Sequence, residues 1–206
     1  MSRYDAIVAG LGAAGSATAW QLAARGLRVL GLDRFHPPHD KGSSHGRSRI
    51  IRQAYWEGPA YVPLVLDAYE RWRRLERATG AELLRTTGGL MIGPADGSLL
   101  TGSLASARVH HLVHELLDAA DLRRRFPSFA LAAGEAALFE PEAGVLRPEA
   151  AVAAMLDRAA VAGASSASGR HAPRCGLPIC AIATLWKTAC TRCWPIALRP
   201  SMACSA

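Results

Sequence analysis

The sequence predicts an α/β fold that opens with a parallel strand-helix-strand unit. Residues 4–10 and 28–33 are short apolar segments of the kind that form buried strands. Residues 13–25 between them carry apolar side chains at helical spacing, and Gly26 is placed to end that helix. A strand, a helix and a strand within about 30 residues are typical of a Rossmann-like domain, whose crossover is right-handed.

A glycine-rich loop joins the first predicted strand to the helix, and it fits the pattern G-x-G-x-x-G: Gly10-Leu11-Gly12-Ala13-Ala14-Gly15. Glycine at the first position permits a tight turn, at the second lets the backbone approach a pyrophosphate, and at the third lets the helix lie close to the strand. The phosphates would then meet the helix N-terminus. We assign all of these positions except Leu11 to cofactor binding; the alternative is a glycine-rich turn that binds no nucleotide.

Asp33 ends the second predicted strand, 23 residues after Gly10, where an acid can accept hydrogen bonds from an adenosine ribose. We expect Asp33 to serve the ribose rather than the core, and the alternative is a strand-end cap. Arg34 is a further cofactor-binding candidate because it could meet a 2′-phosphate; its alternative is a solvated surface residue. The glycine motif by itself does not decide between NAD and FAD.

Further elements are predicted downstream. Residues 35–46 hold two prolines, two glycines and three histidines and form a loop. Residues 59–80 form an amphipathic helix, with Pro59 suited to its first turn and Gly80 to its end. The remaining predictions are a hairpin over 82–92 interrupted by Gly88-Gly89, helices over 103–117 and 148–162, and a short strand over 137–139.

Charge and composition favour a cytoplasmic protein that binds neither membrane nor nucleic acid. No apolar run approaches the roughly 18 residues of a membrane span, and residues 1–11 lack the pattern of a secretory signal. The net charge is +7, but residues 158–206 hold six of the 24 basic residues and none of the 17 acidic ones. The rest of the chain is therefore nearly neutral, and scattered arginines do not form the basic face that nucleic acid requires.

No metal site is predicted. All five cysteines lie in the last 32 residues, and only Cys190 and Cys193 have the C-x-x-C spacing of a zinc or dithiol site. No second ligand pair completes a zinc site, and no strand-helix pattern supports a dithiol. His110 and His114 share a helical face without a carboxylate to complete a site, so we interpret them as surface residues.

A second motif carries a family resemblance, and it reads Gly42-Ser43-Ser44-His45-Gly46-Arg47-Ser48-Arg49-Ile50-Ile51-Arg52-Gln53-Ala54-Tyr55. Together with its distance from the glycine motif, this resembles the monomeric sarcosine oxidase and N-methyl-tryptophan oxidase family of FAD-dependent amino-acid oxidases. Agreement continues through Thr87-Gly88, Ile92-Gly93-Pro94, Phe126-Pro127 and the run from Phe139 to Leu146. The resemblance covers about residues 4–163.

The resemblance implies an FAD enzyme that oxidises N-methyl amino acids with O2 and works as a monomer. It implies that His45 and Arg49 lie beside the isoalloxazine ring, where a cation stabilises the reduced flavin. Ser43 and Ser48 join the cofactor-binding residues, Ser48 at the place of a small hydroxyl residue in the family. Arg52 matches the arginine that holds the substrate carboxylate. Without the resemblance, these arginines would be interpreted as a solvated basic turn.

The resemblance stops after Ala164, where the family continues into a strand, a large substrate-binding β-sheet and a return to the FAD domain. We therefore expect a truncated FAD-binding domain over 1–164 with the start of an α+β substrate domain, followed by an atypical tail over 165–206. That tail is disordered or results from a change of reading frame, and the family's flavin-attaching cysteine and oxygen-activating lysine have no counterpart in it. The alternatives are an NAD(P)-dependent dehydrogenase and an inert nucleotide-binding fragment.

Overall fold

The computed structural model describes residues 3–169, and this part of the chain forms an α/β fold. In chain order its strands are β1 (Ala6–Ala9), β2 (Val29–Asp33), β3 (Arg49–Ile51), β4 (Leu84–Thr86), β5 (Gly89–Pro94), β6 (Glu115–Leu117), β7 (Glu135–Glu140), β8 (Gly144–Leu146) and β9 (Ser165–Ser168). Its α-helices are α1 (Ala13–Ala23), α2 (Val62–Thr79), α3 (Ser98–Val109), α4 (Ala119–Arg125) and α5 (Pro148–Val161), and a 3₁₀ turn, Pro59–Tyr61, precedes α2.

The predicted strand-helix-strand unit is confirmed. β1 and β2 pair in parallel, with Ala6 opposite Val29, and α1 connects them. Val8 and Val29 pack against small residues of α1 and α5, including Ala19 and Ala159, so the two helices cover one face of this sheet. Small residues on the helices let them lie close to the strands.

The first sheet continues past the boundary expected at Ala164. β9 pairs in parallel with β2, with Leu30 opposite Ser165 and Asp33 opposite Ser168. The segment Ser-Ser-Ala-Ser lacks the apolar run of a buried strand, which is why the sequence did not indicate it. The expectations for the tail beyond Gly169, including Cys190 and Cys193, lie outside the described residues.

Two antiparallel sheets make up the rest of the described strands, in the orders β3-β8-β4 and β5-β7-β6. The predicted hairpin over 82–92 is wrong, because β4 and β5 belong to different sheets. Residues 84–94 instead run antiparallel to residues 135–146, with Thr86 opposite Gly144 and Gly89 opposite Glu140.

The bend between β4 and β5 explains the error in the hairpin prediction. Gly88 has φ +73°, and the N–H groups of Thr87 and Gly88 donate to the carbonyl of Ala143 at 3.1 and 2.9 Å. The two glycines therefore carry the chain from one sheet to the next instead of turning it back on itself. The partner strands are about 50 residues away, a pairing that local turn signals do not report.

The helix predictions over 59–80 and 148–162 are confirmed by α2 and α5, and the strand over 137–139 lies within β7. The helix over 103–117 is partly wrong. α3 begins at Ser98, and strand β6 occupies Glu115–Leu117. Leu116 pairs with Leu138 across the ladder. The short elements β3, β8 and α4 were not predicted.

No helix in the described part of the chain is long and apolar enough to cross a membrane.

Candidate functional site

The glycine loop has the geometry that the motif predicts. Gly10 has φ +86°, and its N–H donates to the carbonyl of Leu32 at 2.7 Å. A Cβ atom at Gly15 would lie 1.7 Å from the carbonyl oxygen of Gly10 and 3.4 Å from a methyl group of Val8. The helix therefore rests directly on the strand, and no side chain fits between them.

The N-terminus of α1 faces a hydroxyl group. The helix begins at Ala13 with no acidic residue in its first turn and no side-chain cap from Gly12. The N–H of Ala13 donates to the Oγ of Ser44 at 3.1 Å, and a Cβ at Gly12 would lie 3.2 Å from the same oxygen. Ser44 was not singled out from the sequence, because two adjacent serines in a loop do not reveal which one reaches the helix.

Asp33 joins the end of β2 to the glycine loop. Its carboxylate is 8% exposed and accepts from the N–H of Leu11 at 2.6 Å and of Phe35 at 2.9 Å. Its Oδ1 also lies 3.1 Å from Nε2 of His39. Burial by itself raises the pKa of Asp33, but these hydrogen bonds outweigh it and hold the pKa below its usual value. Asp33 therefore also holds the glycine loop in place, and its role toward a ribose stays a prediction.

A cavity of about 250 Å³ lies between the glycine loop and the segment after β2. The residues that line it are Gly10, Leu11, Gly12, Asp33, Pro37, Pro38, His39, Gly42, Ser43, Ser44 and Val152. Four of the predicted cofactor-binding residues thus meet at one cavity. A diphosphate and a ribose are held by backbone N–H groups at a helix start, by a hydroxyl and by a buried carboxylate. The residues of this cavity therefore fit a dinucleotide.

The other cofactor candidates do not line this cavity. Ala13 and Ala14 are exposed in the first turn of α1. Arg34 is exposed, and its guanidinium carbon lies 5.3 Å from the ring centroid of Phe35. This arrangement corresponds to the surface alternative for Arg34. Ser48 is also exposed.

Arg49 holds the loop that carries the two serines. Its guanidinium donates to the carbonyl oxygens of Ser43 at 2.9 Å, His45 at 2.6 Å and Ser48 at 2.8 Å. The ring Nδ1 of His45 in turn lies in hydrogen-bond contact with the carbonyl oxygen of Gly42. These bonds close the loop on itself and present Ser44 to α1.

Arg52 follows β3 and is already engaged with a carboxylate. Its Nη2 donates to both oxygens of Glu57, at 3.1 and 3.0 Å. The guanidinium carbon lies 4.8 Å from the ring centroid of Tyr55, and the side chain is 28% exposed. Its Nε is buried and has no hydrogen-bond partner among residues 3–169. The guanidinium is therefore placed to bind a carboxylate, and Glu57 fills that role in this structure.

Glu140, a buried acid that contacts the two residues after this arginine, was not singled out from the sequence. Glu140 is 0% exposed, and it accepts from the N–H of Gln53 at 2.5 Å and of Ala54 at 2.9 Å. Burial raises the pKa of Glu140 above its usual value, against the lowering effects of these two N–H groups and of Arg52. An acid at the end of an apolar strand was the available signal, but only the tertiary structure shows which backbone it meets.

Fold and site together define a dinucleotide-binding α/β protein, with a helix N-terminus and a strand-end carboxylate at one cavity. The chain belongs to the FAD-dependent oxidoreductase family, whose model matches residues 5–172. The predicted cofactor is thus confirmed as FAD at the level of the family. The NAD(P)-dependent alternative receives no support.

Similar proteins include several amino-acid oxidases. The chain is 53% identical over 161 residues to monomeric sarcosine oxidase from Streptomyces avermitilis, covering 78% of this chain and 42% of that protein. It is 40% identical over 160 residues to N-methyl-L-tryptophan oxidase from Yersinia pestis, covering 78% and 43%. NikD, an amino acid oxidase of nikkomycin biosynthesis, superposes with a TM-score of 0.73 at 31% identity, covering 82% of this chain and 44% of NikD.

These similarities confirm the family inferred from the second motif. The chain spans about two-fifths of the length of the curated relatives it matches.

Proposed function

We propose that this protein is the N-terminal part of an FAD-dependent oxidase of N-methyl amino acids such as sarcosine. The observation that carries the proposal is the 53% identity over 161 residues to monomeric sarcosine oxidase. A cavity suited to a dinucleotide and an arginine engaged with a carboxylate support it from the structure. The same relative supports a monomeric protein.

The glycine loop and Asp33 would hold the adenosine and diphosphate half of FAD. The backbone N–H groups at the start of α1 would donate to the phosphate oxygens, because the dipole of a helix favours negative charge at its N-terminus. The hydroxyl of Ser44 accepts from Ala13 and can donate its own proton to a phosphate oxygen. Asp33 keeps free lone pairs for ribose hydroxyls beside the bonds it makes to the protein.

Arg52 would bind the carboxylate of the substrate. A guanidinium offers two parallel N–H donors to a carboxylate, which fixes the orientation of the bound amino acid. Glu57 has to leave the guanidinium before a substrate carboxylate takes its place. The ring of Tyr55 supports the guanidinium from one face, so the arginine keeps its position during this exchange.

His45, Arg49 and Ser48 would border the ring of the cofactor. A bound FAD would supply the oxidising chemistry: the amine loses two electrons and two protons to become an imine, and O2 takes up two electrons and two protons to become hydrogen peroxide. The positive charge of Arg49 on the loop over the site favours the negative charge that this step creates. Water then hydrolyses the imine to an amine and an aldehyde.

A fusion protein tests the proposal. Residues 1–164 of this chain would be joined to the remaining part of the sarcosine oxidase from Streptomyces avermitilis. We expect a yellow protein that carries FAD and that forms peroxide with sarcosine. A flavin-loaded fusion that forms no peroxide with sarcosine or with N-methyl-tryptophan would refute the proposed activity.

A further inference from the structure

Glu140 is a buried carboxylate that the proposed reaction does not use. It ends β7, and its side chain is fully buried. Each of its oxygens accepts one peptide N–H, from Gln53 at 2.5 Å and from Ala54 at 2.9 Å. These partners lie 87 and 86 residues away along the chain. Glu140 therefore makes a long-range clamp on the short segment Gln53-Ala54.

That segment follows Arg52 directly. The ladder between β3 and β8 ends with Ile51 opposite Gly144, and the next peptide groups have left the sheet. Buried N–H groups need acceptors, and Glu140 supplies them at Gln53 and Ala54. The two peptide N–H groups after Arg52 are thus held by one side chain.

A carboxylate suits this position better than an amide. It offers two acceptor oxygens to two consecutive donors, whereas an amide offers one oxygen and an NH2 group that would face a donor. A buried charge also needs a compensating cation, and the charge of Arg52 acts on Glu140. The Nε of Arg52 is buried and has no hydrogen-bond partner in the described part of the chain.

We propose that Glu140 is a positioning residue for Arg52. It holds the two peptide groups that directly follow Arg52, while Glu57 pairs with Nη2 of the guanidinium. Displacing Glu57 then leaves Arg52 in place for an incoming carboxylate. The nature of that carboxylate rests on the proposed function, but the positioning does not.

The test measures the reactivity of Arg52 in the 206-residue chain without flavin or substrate. Phenylglyoxal modifies accessible guanidinium groups, and peptide mass spectrometry follows each arginine separately. The variants are Glu140→Gln, Glu140→Asp and, as a matched control, Glu142→Gln, which changes an exposed acid two residues away. Arg71, an exposed helix residue paired with Asp67, is the internal reference.

We expect Arg52 to react roughly fivefold faster or more in Glu140→Gln than in the parent. It should react at an intermediate rate in Glu140→Asp and at the parental rate in Glu142→Gln. A merely structural role would instead raise the rates of Arg52 and Arg71 together as the chain unfolds. An unchanged rate at Arg52 in a folded Glu140→Gln variant overturns the proposal.

A second variant keeps the test decisive if Glu140→Gln fails to fold. Glu57→Gln removes the exposed partner of Arg52 and alters only the surface. The proposal predicts that Arg52 stays slower than Arg71 in this variant, because Glu140 still holds it. Equal rates for the two arginines would show that Glu57 alone protects Arg52. Since neither measurement involves a cofactor, their failure is distinct from failure of the proposed oxidase activity.

Discussion

At the scale of single residues, the backbone around Gly15 leaves no room for a side chain. A Cβ there would lie 1.7 Å from the carbonyl oxygen of Gly10. We predict that Gly15→Ala separates α1 from β1, lowers the free energy of unfolding by about 1–3 kcal/mol or more, and abolishes binding of ADP measured by calorimetry. Gly93→Ala in β5 is the control, because its Cβ would find its nearest atom, in Leu99, at 3.7 Å and Gly93 does not line the cavity. Unimpaired ADP binding by Gly15→Ala would contradict the assigned role of the glycine loop.

Asp33 links stability to pH. Its pKa is held below the usual value, so its contribution to stability is present above about pH 4 and is lost as the pH falls through its folded-state pKa. Asp33→Asn places an NH2 group among N–H donors, and we predict a loss of about 1–3 kcal/mol at pH 7. The difference from the parent should shrink toward pH 3 in urea titrations. Asp40→Asn, at an exposed acid, is the control; an equal effect there would remove Asp33 from this role.

Arg52 is where the proposed substrate carboxylate binds. In the fusion protein, we predict that Arg52→Ala raises the apparent dissociation constant for sarcosine by about tenfold to a hundredfold, the worth of one charge-assisted carboxylate pair. Steady-state kinetics measure it, and Arg71→Ala, which loses only a surface ion pair, is the control. An unchanged substrate constant would exclude Arg52 from the binding site.

At the scale of elements, residues 84–94 and residues 135–146 run antiparallel to each other. Each of these two segments passes from one antiparallel sheet into the other. The two segments lie close together at Gly144 of β8, where a Cβ would lie 2.3 Å from the carbonyl oxygen of Arg85 in β4. This crossing places Glu140 at the end of β7, just before the turn to β8. The clamp on the segment after Arg52 therefore depends on the crossing.

We predict that Gly144→Ala lowers the free energy of unfolding by about 1–3 kcal/mol, because the backbone of β4 has to move. The midpoint of thermal or urea unfolding measures this effect. Gly93→Ala in β5 is the matched control, since its Cβ would meet its nearest atom, in Leu99, at 3.7 Å. Equal midpoints for the two variants would mean that the crossing tolerates a wider spacing.

At the scale of the whole molecule, the described sheet of β1, β2 and β9 has one well-covered face. α1 and α5 pack on it through Val8 and Val29, whereas Ile7, which points to the other face, is 63% exposed. Large exposed apolar side chains on a sheet face are a liability for solubility. The relatives are more than twice as long as the matched region.

We therefore predict that a polypeptide of these 206 residues alone has no measurable amine oxidase activity. In the proposed function the described residues supply the adenosine and diphosphate contacts of the cofactor, but oxidase chemistry needs an enclosed site that excludes water. A peroxide assay with sarcosine and N-methyl-tryptophan measures this. Turnover above a control without enzyme would show that residues 3–169 and their tail complete the site.

Local sequence signals sufficed wherever an element is defined by its own residues. The unit from β1 to β2, the helices α2 and α5 and the central strand β7 follow from apolar spacing, glycine and proline. The signals failed at short strands and distant partners: Gly88-Gly89 indicated a hairpin where the chain changes sheets, and β6 was taken as the end of a helix. Strands of three residues carry too few side chains to show a period.

The sequence by itself determined the dinucleotide motif, the acid that follows it and the family. These depend on residue types at fixed spacings, and the physical demands of phosphate binding are local to one turn and one helix. Only the tertiary structure decided that Ser44 meets the start of α1, that Asp33 also holds the glycine loop, and that Glu140 clamps the chain behind Arg52. Each of these contacts joins residues 22 to 87 positions apart. Such pairings are set by how sheets and helices pack, which no local pattern encodes.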